Sequence, residues 1–309
     1  MIFNQRNMGI LGVAGAETCV VGDGIMFGGN SGGSSNGTTN SFDGCAWATE
    51  NNIGTSVMPY CNGGISSDAI QGAGSQNGAS RKFNGTSWSS VTAFDYERGE
   101  GRGGDGRPDG ALLSGGYGHA SGSTNTNIRR YDCHKFDGSS WSTTGNLGSN
   151  LTHDYTRYGG NDDGGMQVGG AWVNSNWNGK AYKFDGSSWS QSTDTMDSSL
   201  RDDQTIGAGN ASAFVAGFGW DGSYYMTCEK FNGTTWSSAG TAGNGHNKGN
   251  AGGRGNASTS YNIIVASGQG AGGTSHALGT HCDRYDGSAW AEQANTLYSC
   301  EMGGCGFSG

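Results

Sequence analysis

Phe136-Asp137-Gly138-Ser139-Ser140-Trp141 is one of six versions of a single phrase in this chain. The others are Phe42-Asp43-Gly44-Cys45-Ala46-Trp47, Phe83-Asn84-Gly85-Thr86-Ser87-Trp88, Phe184-Asp185-Gly186-Ser187-Ser188-Trp189, Phe231-Asn232-Gly233-Thr234-Thr235-Trp236 and Tyr285-Asp286-Gly287-Ser288-Ala289-Trp290. Their first residues stand at 42, 83, 136, 184, 231 and 285, so the spacings run 41, 53, 48, 47 and 54. An aromatic-turn-Trp mark at a period of about forty to fifty residues is the signature of a propeller blade.

The phrase reads as a hairpin. Asp-Gly and Asn-Gly tolerate the positive φ that tight hairpin turns require. The flanking aromatic and the Trp suit half-buried strands. The expected place of Trp47, Trp88, Trp141, Trp189, Trp236 and Trp290 is therefore the packing between stacked blades, where repeats bury one another's faces.

Upstream of the phrase lies a short apolar run that ends in small residues. Examples are Ile25-Met26-Phe27-Gly28-Gly29, Ala111-Leu112-Leu113-Ser114-Gly115-Gly116 and Met166-Gln167-Val168-Gly169-Gly170. A Gly-rich segment precedes it, as in Gln204-Thr205-Ile206-Gly207-Ala208-Gly209. Each unit then holds four short antiparallel strands: Gly-rich, apolar, aromatic and Trp. The expected fold is all-β, a single six-bladed propeller domain over residues 1–309. The Gly-Gly after an apolar strand, the aromatic-Asp pair and the Trp resemble the kelch repeats of β-propellers. The Asn-Gly-Thr-Ser-Trp form further resembles kelch-like repeats in tail, fibre and decoration proteins of marine bacteriophage particles.

Composition narrows the function classes. Gly is 62 of 309 residues and Pro only 2. Average Gly usage is about 7 %, so this chain is built of turns and close strand packing. Helical periodicity is absent. A net charge of −9 and a sequence pI near 5.0 argue against binding nucleic acid or an anionic membrane. No apolar run approaches the roughly 18 residues of a transmembrane helix, and no signal region is seen near Met1.

Eight Cys stand at 19, 45, 61, 133, 228, 282, 300 and 305. Cys133, Cys228 and Cys282 each precede the repeat aromatic by three residues and are expected to be core thiols. No Cys-x-x-Cys pair suggests a metal site. Cys300 and Cys305 could pair with each other or with Cys19. Six repeats leave one spare first strand near 297–307, opposite a similar segment at Asn7–Gly15. It is expected to close the ring within blade one; the alternative is that it pairs with a neighbouring subunit through a free edge.

Three Trp fall outside the phrase: Trp172, Trp177 and Trp220. With Tyr224 and Tyr225 they lie in equivalent segments of consecutive repeats, just after the Gly-Gly strand, among Asn, Asp and Ser. Such rings suit a glycan or protein partner, and equally the packing of their own loops. The charged run from Asp95 to Asp109 reads as a solvated loop. The six His lack ligand spacing, and no nucleophile elbow occurs. The turn is one residue shorter than the Asp-box of sialidases, so a sialidase-like glycoside hydrolase is the least favoured reading. The resemblance implies a non-catalytic virion protein acting in host attachment, as a tail or fibre component, or as capsid decoration. It would need no cofactor and no metal, and would contact other virion proteins and a host-surface glycan or protein. The alternative is a cellular kelch-type protein–protein interaction module.

Overall fold

The computed structural model describes residues 19, 22–31, 34–54, 59–74, 79–94, 98–99, 102–104, 109–118, 128–147, 157–161, 163–168, 180–196, 206–217, 227–242, 250–256, 260–269, 278–301 and 303–308. Among them there is no helix, and the strands form six four-stranded antiparallel blades arranged as a β-propeller. Blade 2 comprises Pro59–Ile65, Asp68–Gly74, Ser80–Phe83 and Trp88–Val91. Blade 4 comprises Arg157–Asn161, Gly164–Val168, Ala181–Phe184 and Trp189–Gln191. Blade 5 comprises Ile206–Gly209, Phe214–Gly217, Thr227–Phe231 and Trp236–Thr241. Blade 6 comprises Asn250–Asn256, Ser260–Gln269, Leu278–Tyr285 and Trp290–Gln293.

Blade 1 is built from both ends of the described chain. Gly304–Ser308 is its inner strand and pairs with Asp23–Phe27 in antiparallel register, Asp23 opposite Ser308 and Phe27 opposite Gly304. Thr39–Phe42 and Trp47–Glu50 complete it. The segment Asn7–Gly15 lies outside the described residues.

Blade 3 departs from the sequence expectation. The charged run read as a solvated loop contributes two strands, Arg98–Gly99 and Arg102–Gly104. The first pairs with Ala111–Gly118. The second pairs in parallel with the inner strands of blades 2 and 4. The glycines between the charges allow this, because backbone can approach backbone where no Cβ intervenes. Ile128–Phe136 and Trp141–Asn146 form the outer half of blade 3.

The inner strands touch their neighbours all the way round, from blade 1 to blade 6 and back. Two glycines show why the inner strands are Gly-rich. A Cβ on Gly159 of blade 4 would stand 2.6 Å from the carbonyl oxygen of Gly209 in blade 5. A Cβ on Gly306 of blade 1 would collide with the backbone oxygen of Gly64 in blade 2. Between blades the apolar second strands interlock. Ile25 and Phe27 of blade 1 meet Ala69 and Phe83 of blade 2, while Met166 and Val168 of blade 4 meet Phe214 and Ala216 of blade 5. Cys133, Cys228 and Cys282 are fully buried free thiols in these layers. Burial pushes the thiols of Cys228 and Cys282 well above the ordinary range, so they pack as small apolar groups.

Candidate functional site at the blade turns and the ring closure

In every blade the phrase aromatic stands directly opposite its Trp: Phe42 and Trp47, Phe83 and Trp88, Phe136 and Trp141, Phe184 and Trp189, Phe231 and Trp236, Tyr285 and Trp290. Ring centroids are 5.1 Å apart in blade 1 and 5.2 Å apart in the other five. Four residues therefore separate the paired strands, and the turn is longer than the two-residue hairpin that Asp-Gly suggests. The second loop residue is the glycine, at φ between 86° and 98° in all six turns.

The first loop residue is the cap. Asp137 Oδ1 accepts the backbone N–H groups of Ser139 and Ser140 at 2.9 and 2.8 Å. Asp286 does the same for Ser288 and Ala289 at 2.8 and 2.9 Å. Asn84 and Asn232 make the matching bonds through their amide oxygens. These donors hold the carboxyls of Asp137 and Asp286 down to about 2 and place that of Asp185 lower still. A depressed folded-state pKa stabilises above the unfolded value of about 3.9 and is lost as pH falls through the folded value. The melting temperature should thus decline between about pH 4 and 2. Replacing Asp137, Asp185 and Asp286 together by Asn should flatten that decline, because Asn84 and Asn232 already cap without a titrating group. Thermal melts from pH 7 to 2 check this; an unchanged acid slope would contradict it.

Five of the six Trp side chains hydrogen-bond to the blade before, whereas the buried Trp236 Nε1 has no partner among the described residues. Trp88 Nε1 donates to Thr39 Oγ1 of blade 1 at 3.0 Å, and Trp141 Nε1 to Ser80 Oγ of blade 2 at 3.2 Å. Trp290 Nε1 donates to the Ala239 carbonyl of blade 5 at 3.0 Å, and Trp47 Nε1 to the Ala294 carbonyl after blade 6 at 3.0 Å. Only Trp47 is enclosed; Trp88, Trp141, Trp189, Trp236 and Trp290 are half-exposed. The fully buried ring of each pair is the Phe or Tyr. Each of the six packs on the cluster that joins its blade to the one before it.

A further repeat element sits one residue before the aromatic. Lys135, Lys183 and Lys230 each donate Nζ to the turn-glycine carbonyl of the next blade: Gly186 at 3.3 Å, Gly233 at 2.8 Å and Gly287 at 3.0 Å. Lys183 and Lys230 also stand 5.7 and 5.8 Å from the ring centres of Phe231 and Tyr285.

Blades 3, 4 and 5 share this bond, and at the closure between blades 6 and 1 it is replaced. Arg284 replaces the Lys, and its Nε donates to Asn262 Oδ1 at 2.9 Å. Cys45 occupies the position held by Thr86, Ser139, Ser187, Thr234 and Ser288 in the other turns, and it forms a disulfide with Cys19. Cys300 and Cys305 are buried free thiols, so neither pairing considered for them is formed. The signal for Cys19–Cys45 was the departure of Cys45 from Ser or Thr within the phrase. The disulfide, Gly44, Arg284, Asp286 and residues 291–295 line a cleft of about 690 Å³. A second cleft of about 500 Å³ lies between blades 4 and 5, lined by Lys183, Asp185 and Asn210 among others.

Trp172, Trp177, Trp220, Tyr224 and Tyr225 lie outside the described residues. Their flanking strands are described: 169–179 joins the second and third strands of blade 4, and 218–226 joins those of blade 5. Among the described residues, no group of three His, Cys, Asp or Glu is placed to hold a metal ion. His134 Nε2 lies 2.9 Å from Asp132 Oδ2.

No protein-family model matches the chain, and no curated protein matches it in sequence. Among solved structures the fold is similar to that of YjhT, at 13% identity and a TM-score of 0.57, covering 79% of this chain and 86% of that one. At this identity the likeness speaks for the propeller fold alone.

Proposed function

We propose that this propeller is a non-catalytic structural and recognition protein of a bacteriophage particle, acting in host attachment as a tail or fibre component or as capsid decoration. The reading is carried by the six-fold phrase, whose Asn-Gly-Thr-Ser-Trp form resembles kelch-like repeats of phage particle proteins. The architectural work of the repeat supports this reading: Asp and Asn cap turns, five of the six Trp bond through Nε1 to the preceding blade, and three Lys bond to the next. What remains for recognition is the non-repeating part, with Trp172, Trp177, Trp220, Tyr224 and Tyr225 as the proposed contact residues for a host-surface glycan or protein. A Cys19–Cys45 disulfide suits the outside of a particle, where thiols are not kept reduced. The net charge of −9 suits a partner other than nucleic acid.

The test is tryptic mass spectrometry of purified particles of the phage whose genome encodes the chain. Its peptides should appear at a fixed ratio to the major capsid protein. Their absence from washed particles, with the protein present in the lysate, would overturn the reading.

A further inference from the structure

The geometry points to a saccharide-binding site in the cleft at the ring closure, formed by Arg284, Asp286, Glu292, Gln293 and Asn295 beside the Cys19–Cys45 disulfide. The cleft is about 690 Å³, within the roughly 300–1,000 Å³ of small-molecule sites. Its lining includes the turn residues Gly44 and Cys45 of blade 1 and Asp286 of blade 6, none of which is among the aromatic residues proposed above for recognition.

Three features of this seam bear on binding. First, its cation is not spent on the next blade. Lys135, Lys183 and Lys230 each bond to a turn carbonyl. Arg284 makes one hydrogen bond among the described residues, through Nε to Asn262. A guanidinium carries five N–H donors in a rigid fork, so the remaining ones are available to a ligand. Second, the wall opposite is covalently fixed. Cys45 holds Cys19 against the blade 1 turn, whereas Ser or Thr at that position in the other turns has no such tether. A fixed wall lowers the ordering cost of binding. Third, the lining is rich in acceptors. Asp286 is held by its own turn N–H groups, and Glu292 stands exposed on the outer strand of blade 6, its Oε1 3.8 Å from His281 Nδ1. Gln293 Nε2 is held by the carbonyls of Ala291 and Glu292 at 3.2 and 2.9 Å, which leaves its amide oxygen as an acceptor.

The chemistry selects the ligand class. Each sugar hydroxyl both donates and accepts, and this lining offers a strong donor among several acceptors. One Arg against Asp286 and Glu292 leaves an acidic balance, which disfavours a polyanion. The lining therefore fits a neutral saccharide unit better than a uronate or a phosphate.

The experiment is saturation-transfer NMR on the full chain with maltotriose, cellotriose and chitotriose as neutral probes and trigalacturonate as the acidic one. It reads binding in solution, so its outcome is independent of whether the chain is carried on a particle. At least one neutral trisaccharide should bind saturably, and E292A and R284K should each weaken it roughly fivefold or more with melting temperatures unchanged. R284K keeps the charge and volume in case an Ala variant disturbs Asn262. No saturable binding of any neutral probe, binding insensitive to both variants, or binding of trigalacturonate alone would each overturn the assignment.

Discussion

A chain ending at Gly303 should lose its cooperative unfolding transition and its near-ultraviolet dichroism. The deletion removes Gly304–Ser308, the inner strand of blade 1, and with it five pairings to Asp23–Phe27. Cys305 and Phe307 are fully buried on that strand. Phe307 lies 6.5 Å from Phe42 between ring centres and shares a cluster with Met26, Trp47, Ile264, Ala266 and Cys282. Removing one such Phe typically costs about 3–5 kcal/mol. Domains are stable by only about 5–15 kcal/mol, and here a whole strand is lost besides. The loss also opens the ring, since Gly252 of blade 6 and Gly64 of blade 2 both pack on this strand's backbone. A synthetic peptide of residues 304–309 added to the truncated chain should restore part of the signal by strand addition. A truncated chain that melts like the full one would show that the closure contributes little.

Much of this architecture is legible in the sequence, because a propeller repeats its local chemistry. The phrase marks each outer hairpin, and the apolar run before it marks the second strand. Local grammar does not extend to long-range pairing. Cys45 departs from Ser or Thr within the phrase, yet its partner Cys19 belongs to no repeat, so nothing in the spacing joins them. The strand Arg102–Gly104 hides inside a charged run, because its pairing depends on backbone proximity to two other blades rather than on an alternating pattern. The caps by Asp and Asn were visible as residues but not as bonds, and Gly at positive φ alone suggested a shorter turn. The Lys before the aromatic recurs from blade to blade, yet its acceptor is a carbonyl in the next repeat.

Trp47→Ala should destabilise the chain by about 3–5 kcal/mol in urea unfolding, more than Trp290→Ala, the matching change one blade earlier. Both rings stack on their blade's aromatic at almost the same distance, and both donate Nε1 to a carbonyl at 3.0 Å. Their surroundings differ. Trp290 is half-exposed and joins blades 5 and 6, which follow one another in the chain. Trp47 is 7% exposed, and its acceptor Ala294 lies 247 residues away. It therefore helps to seal the blade that is assembled from both ends of the chain, together with the Gly304–Ser308 strand and the Tyr298 hydroxyl, which lies 3.2 and 3.1 Å from the carbonyls of Gly28 and Thr38. Trp47→Phe separates the terms: it keeps most of the buried area and loses the N–H, so it should cost about 1–2 kcal/mol. A truncation at Trp47 also leaves a hole beside Cys282 and Phe42, where backbone pairing on both sides prevents collapse. If Trp47→Ala and Trp290→Ala cost the same, the seam is no more dependent on its indole than any other, and the closure strand alone carries it.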